Sequence, residues 1–255
     1  MTNLFDLSGK VAVVTGASSG LGVQFARALA GQGADLAILA RRAERIEELK
    51  GEIEKSGVRC LAIKCDVTQV SQIKDAVEKI KDFYGKIDIL VNNAGTAGAA
   101  PAESQTDETW RSTIDLNLSA VYFCSREVGK IMIEQQYGKI VNIGSIHSTV
   151  AMSGSTLTGY CASKGGVLML TKALANEWAK YNITVNAIGP AYFPSEMTQN
   201  AFAREGFAQA IQAYCPMKRP GKEGELYGAL IYFASDASSY TTGQLLSVDG
   251  GWTAI

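Results

Sequence analysis

The chain reads as short, nearly continuous apolar runs separated by longer stretches in which apolar residues recur every three or four positions. The runs fall at 11–14, 36–39, 60–63, 87–91, 140–143, 183–188 and 245–248. They do not alternate with polar residues, as expected of strands covered on both faces. Between them a helical period holds near 20–32, 43–56, 69–84, 106–135, 159–180 and 222–235. Gly31 and Gly33 close the first of these stretches and Gly85 closes the third. Repeated strand–helix units predict an α/β fold, a parallel sheet with helices on both faces.

No repeat, low-complexity tract or Pro/Ser-rich linker divides residues 1–255, so one domain is expected. The longest stretch without an assigned element is about 190–221, which holds Pro190, Pro194, Pro216 and Pro220. A segment of that length in an α/β domain is more often a functional cover than a connector. It is read as a substrate-covering loop with a short helix around 198–212.

Composition narrows the function classes. A net charge of −1 gives no field for nucleic acid or an anionic membrane. No apolar run is long enough to span a bilayer, and the N-terminus lacks signal-peptide character, so a cytoplasmic protein is expected. Five cysteines without a CxxC pair, and one histidine, argue against a zinc site, and no metal is expected.

The first run ends at Thr15 and passes through Gly16, Ser18, Ser19, Gly20, Leu21 and Gly22 into a helical pattern. A strand, a glycine turn and a helix N-terminus form a pyrophosphate seat, because glycines let backbone N–H groups approach and the helix dipole favours the anion. The spacing is GxxxGxG, so the turn draws its weight from standing at the first strand–helix junction. The second run leads into Ala40, Arg41 and Arg42. No acid stands there to hold a ribose 2′-hydroxyl, and two guanidinium groups suit a 2′-phosphate. NADP(H) is favoured, with NAD(H) left open because paired arginines also begin ordinary solvated helices.

Tyr160 and Lys164 are four residues apart, on one helix face. A free tyrosine titrates at about pH 10, and an ammonium one turn away favours the phenolate and lowers that value. Such a pair protonates a carbonyl oxygen in reduction or takes the alcohol proton in oxidation. Ser145 follows the run 140–143 at the carboxyl edge of the sheet, where its hydroxyl suits the reacting oxygen. Asn92, Asn93, Ala94 and Gly95 follow the fourth run at the same edge. Asn117, in an apolar helical stretch, reads either as a link in a water relay to Lys164 or as a satisfied core amide.

Taken together these residues resemble the short-chain dehydrogenase/reductase family over essentially the whole chain, with Asp66, Val67 and Asn186 before Pro190 as further matching pieces. The resemblance implies a Rossmann-type doubly wound parallel sheet of about seven strands, in a homotetramer or homodimer packed through the helices near 106–135 and 159–180. It implies an NAD(P)-dependent dehydrogenase/reductase acting on CH–OH groups, with Asn117, Ser145, Tyr160 and Lys164 as the catalytic set. The cofactor is expected against Gly16, Ser18, Ser19, Gly20, Leu21, Gly22, Arg41, Arg42, Asp66, Val67, Asn93, Ala94, Gly95, Tyr160, Lys164, Pro190, Phe193 and Ser195. Within that set the resemblance implies Asp66 and Val67 at the adenine, and Lys164 also at the nicotinamide ribose. Ala40 falls where NAD-type members carry an acid, and Arg41 where NADP-type members carry a base. After Pro190 the pattern departs: Ala191 replaces a glycine, and Ser195 replaces a threonine that touches the carboxamide.

The substrate side is less determined. Ser145, His147, Tyr160 and Tyr192 are the candidate contacts, with Met152, Phe193 and Met197 as apolar wall and small residues at 96–100 leaving room. His147 reads equally as an ordinary loop histidine. The segment 248–254 is similar to gluconate 5-dehydrogenase-like members of the family, which favours a sugar acid, polyol or related small hydroxy compound. A reductase of 3-oxoacyl thioesters would want a basic patch beyond Arg111, Arg126 and Lys130. The apolar wall keeps a hydroxysteroid dehydrogenase as an alternative. A non-catalytic dinucleotide-binding protein is disfavoured by the presence of both Tyr160 and Lys164.

Overall fold

The apolar runs become strands of one sheet, and the inner ones are continuous because helices cover both of their faces; at the edge, Leu246 of the last run stays exposed. The fold is given by a computed structural model that describes residues 3–152, 155–203 and 206–254. Strands β1 (Val11–Thr15), β2 (Asp35–Ala40), β3 (Cys60–Lys64), β4 (Ile89–Asn92), β5 (Gly138–Ile143), β6 (Ile183–Pro190) and β7 (Leu245–Val248) form one sheet. Its order is β3-β2-β1-β4-β5-β6-β7, and every pairing is parallel. The order reverses between β1 and β4, the switch point at which such sheets open a crevice beyond their carboxyl ends. The expected seven-stranded, doubly wound, single-domain fold is therefore found.

Among the described residues the helices are α1 (Gly20–Gly31), α2 (Ala43–Ile53), α3 (Val70–Tyr84), α4 (Asp107–Ile114), α5 (Ala120–Gln135), α6 (Thr158–Trp178), α7 (Gln199–Phe202), α8 (Phe207–Tyr214) and α9 (Tyr227–Ala234). Successive β1 side chains enter opposite cores. Ala12 and Val14 join Phe25, Leu29 and Leu230, while Val11 and Val13 join Ile73, Ile80, Val128 and Trp178. With both faces buried, no position in the strand is free to be polar, so the run is continuous. No helix among the described residues is long and apolar enough to cross a membrane.

Two expectations change in detail. The helical stretch near 106–135 is not one α-helix: α4 and α5 are joined by a π-helical turn, Asp115–Ser119, that contains Asn117. Such wide turns recur at functional sites. The helix expected around 198–212 is two short ones, α7 and α8. Gly206 caps α8 at φ 87, a left-handed conformation that a continuous helix cannot include.

Candidate active site

A cleft of about 530 Å³ lies beyond the carboxyl ends of β1, β2, β4 and β5, and both ends of it are built from residues singled out by sequence. At one end is the glycine turn. Gly16 holds φ 69, and a Cβ there would approach the Ala94 Cα to 2.8 Å. A Cβ on Gly22 would run into the Gly16 carbonyl oxygen, so Gly22 serves the turn from behind rather than by facing the cleft. The Asn93 side chain fastens the turn: its Nδ2 donates to the carbonyls of Thr15 at 3.0 Å and Gly16 at 3.3 Å. In return the Thr15 hydroxyl accepts the Asn93 N–H at 3.0 Å and the Ala94 N–H at 3.2 Å. Backbone is thus held open at the helix N-terminus, as an anion seat requires.

Ser18, Ser19, Gly20 and Leu21 line this end with Arg41, Arg42, Asp66 and Val67. The two arginines differ. Arg41 is exposed at the rim. Arg42 is the one tied to the turn, donating from Nε to the Ser18 hydroxyl at 3.1 Å and from Nη2 to the Ser19 hydroxyl at 2.7 Å. Asp66 spends Oδ1 on the Thr68 N–H at 3.0 Å and the Thr68 hydroxyl at 2.8 Å.

At the other end stand Ser145, Tyr160 and Lys164, all lining the cleft. Ser145 follows β5 and caps a short 3₁₀ turn, its hydroxyl accepting the His147 N–H at 3.1 Å while its own N–H donates to the Ser148 hydroxyl at 3.2 Å. That fixes the hydroxyl at the sheet edge. Tyr160 and Lys164 occupy successive turns of α6. Burial pushes the Tyr160 phenol up to about 12, opposed by a hydrogen bond with the Ser145 hydroxyl. Burial also lowers Lys164, to about 8. The phenol is raised, against the expected lowering by Lys164, because burial is the larger effect; the Lys164 Nζ donates to the Ile143 carbonyl at 2.6 Å and sits 5.7 Å from the Tyr160 ring centre.

Asn117 is wholly buried with its amide satisfied. Its Oδ1 accepts the Thr96 N–H at 2.8 Å, and its Nδ2 donates to the Thr96 carbonyl at 2.8 Å and the Ser163 hydroxyl at 3.1 Å. Both amide protons are engaged, so the side chain holds the loop after β4 against α6. Ala94, Gly95, Pro190, Phe193 and Ser195 complete the predicted lining.

Two predicted substrate contacts do not line this cleft. His147 is buried behind Tyr160, the rings edge to face at 5.9 Å, with Nδ1 3.1 Å from the Val150 carbonyl. Burial lowers its pKa, and its Nε2 has no partner among the described residues. The 3₁₀ turn after Ser145 carries it away from the opening. Tyr192 packs against Phe207 at 4.9 Å and Trp252 at 5.3 Å and lines a separate cavity of about 320 Å³. Residues that sequence did not single out are Glu196, Thr198 and Arg45. Glu196 is ion-paired with both Arg42 and Arg45. Nothing local marks it, because its partners are more than 150 residues away.

Comparison with known proteins agrees with this geometry. Residues 10–206 match the family described as short chain dehydrogenase. The chain is 39% identical over 251 residues to the gluconate 5-dehydrogenase of Gluconobacter oxydans, covering 98% of this chain and 97% of that protein. It is 38% identical to the NAD-dependent glycerol dehydrogenase of Listeria innocua, over 98% of this chain and 96% of that one. A crystal structure of a gluconate 5-dehydrogenase from Burkholderia cenocepacia, in complex with NADP and tartrate, superposes with a TM-score of 0.95 at 36% identity, covering 99% of this chain and 98% of that one.

Proposed function

The chain belongs to the short-chain dehydrogenase/reductase family, NAD(P)-dependent oxidoreductases of CH–OH groups, and from that premise we propose that it interconverts a sugar acid, polyol or similar hydroxy compound with its carbonyl form, preferring NADP(H). The carrying observation is one cleft with Arg42 fastened to the glycine turn at one end and Ser145, Tyr160 and Lys164 at the other. The missing Cβ atoms of Gly16 and Gly22 let the turn pack against Ala94 and Asn93 at the helix N-terminus, where a pyrophosphate would sit, and Arg41 and Arg42 supply donors for a 2′-phosphate.

The bound dinucleotide supplies or accepts the hydride at the substrate carbon. Tyr160 moves the proton: its phenol gives H⁺ to the carbonyl oxygen in reduction and its phenolate takes H⁺ from the alcohol in oxidation. Ser145, which lines the same end of the cleft, holds the same oxygen through its hydroxyl. A phenol near 12 is a weak acid, so turnover needs its phenolate stabilised. Lys164 does this as an ammonium, a form that an anionic ligand in the cleft favours over the neutral amine. Asn117 is a positioning residue that keeps Thr96 and Ser163 in register with Lys164. Residues 190–221 act as the cover. His147 and Tyr192 contribute by backing Tyr160 and the cover, respectively, rather than by forming the cleft wall.

We assign the protein to the cytoplasm as a homotetramer or homodimer. Trp110, Tyr122 and Met169, exposed on α4, α5 and α6, are the apolar surface such packing would cover. The deciding experiment is a 340 nm screen of sugar acids, polyols, 3-oxoacyl thioesters and hydroxysteroids with both cofactors. Turnover is expected with the first two classes. A preference for thioesters or steroids would overturn the substrate assignment while leaving the hydride chemistry in place.

A further inference from the structure

The cover segment closes on the anion seat through a carboxylate. Arg42 donates to Glu196 from Nη2 at 3.0 Å and from Nη1 at 3.3 Å, while its Nε and Nη2 hold Ser18 and Ser19. Arg45 pairs with the other side of the same carboxylate. Four of the five N–H donors of Arg42 are therefore engaged. Glu196 is presented there by a local lock: the Thr198 hydroxyl donates to the Phe193 carbonyl at 2.6 Å and accepts the Ser195 N–H at 2.9 Å. The backbones also meet, since a Cβ placed on Gly20 of the glycine turn would come within 3.0 Å of the Ser195 Cβ.

We propose that Glu196 is an internal competitor for the seat of the 2′-phosphate, so that NADP(H) must displace this carboxylate from Arg42 and Arg45 whereas NAD(H) need not. This rests on the dinucleotide reading above. A 2′-phosphate carries more negative charge than a carboxylate and wants the same planar donor fork. The two anions cannot share the fork, because like charges at that separation repel. A ribose 2′-hydroxyl carries no charge and leaves the ion pairs in place. Glu196 thus sets cofactor selectivity from the cover, and the cover is released from its latch only by the phosphorylated dinucleotide.

The test is calorimetric titration of NADP⁺ and NAD⁺ into wild type and Glu196→Gln, with no substrate present. Glutamine keeps the shape but not the charge. Exposed ion pairs are individually weak, so the NADP⁺ dissociation constant should fall about three- to tenfold, with that of NAD⁺ changed less than about twofold. Structural damage would loosen binding, so a gain in affinity marks competition. An unchanged or weaker NADP⁺ affinity in Glu196→Gln would overturn the proposal while leaving the dinucleotide reading intact. If neither dinucleotide binds wild type, that reading falls and the proposal with it.

Discussion

The two walls of the cleft are held by different physics. The fixed wall, residues 15–22 and 92–96 together with Ser145, Tyr160 and Lys164, is fastened by Asn93, Thr15, Asn117 and Lys164 through bonds to backbone groups at the sheet edge. The tip of the cover, residues 194–198, is fastened by Thr198 to the Phe193 carbonyl and by Glu196 to Arg42 and Arg45, whose side chains are 42% and 49% exposed. Losing a buried hydrogen bond leaves an unsatisfied group at a cost of about 1–3 kcal/mol. Losing an exposed ion pair leaves two groups that water solvates at once. One wall is therefore built to stay and the other to move. The chemistry that cannot tolerate displacement, a proton transfer over hydrogen-bond distance, sits on the first.

The sharpest way to break this contrast is on the fixed wall. Tyr160→Phe removes the proton and nothing of the scaffold, so kcat should fall by about 10²–10⁴ while dinucleotide titration stays near wild type. Retained turnover would remove Tyr160 from the mechanism. A smaller effect is expected where the walls meet. Arg42→Ala loses the guanidinium tied to Ser18 and Ser19 and should weaken NADP⁺ roughly tenfold, as charged hydrogen bonds do. Arg41→Ala, at the exposed rim, should cost about twofold. Equal losses for the two variants would show that the turn contacts of Arg42 do not organise the seat.

The last test spreads its effect over a pH range. The Lys164 pKa falls from 10.5 to about 8 on folding. Between those values the unfolded chain holds a proton that the folded one has released, so stability must rise with pH. The cofactor-free protein should gain up to about 1.4 kcal/mol per pH unit from this group between pH 8 and 10, a rise absent from Lys164→Met. Denaturant midpoints across that range measure it. Tyr160, whose pKa is raised, acts with the opposite sign only above its unfolded value of about 10. Parallel pH curves for the two proteins would show that Lys164 is not desolvated.

The legible parts of the sequence are those whose signal is local. Gly16, Gly20 and Gly22 are readable because a tight turn at a strand end admits few other residues, and Tyr160 and Lys164 because four residues is one helical turn. Ser145 is placed by following a strand. The misplaced parts all depend on direction. His147 follows Ser145 by two residues, but a 3₁₀ turn points it behind Tyr160. Tyr192 sits beside the cleft-lining Ala191 and Phe193 but is drawn toward Trp252 and Phe207. Arg41 and Arg42 are adjacent and chemically alike, and only the orientation of the chain entering α2 decides which one reaches the turn.

The sequence by itself determined the parallel sheet and the glycine turn and singled out the candidate proton-transfer groups, because periodicity and short spacings are properties of neighbouring residues. Only the tertiary structure decided the π-helical turn at Asn117, the protonation environment of Tyr160 and Lys164, and the pairing of Glu196 with Arg42 and Arg45. Desolvation and long-range ion pairs depend on which distant segments are packed together. Arg42 and Glu196 are 154 positions apart in the chain and 3.0 Å apart in space.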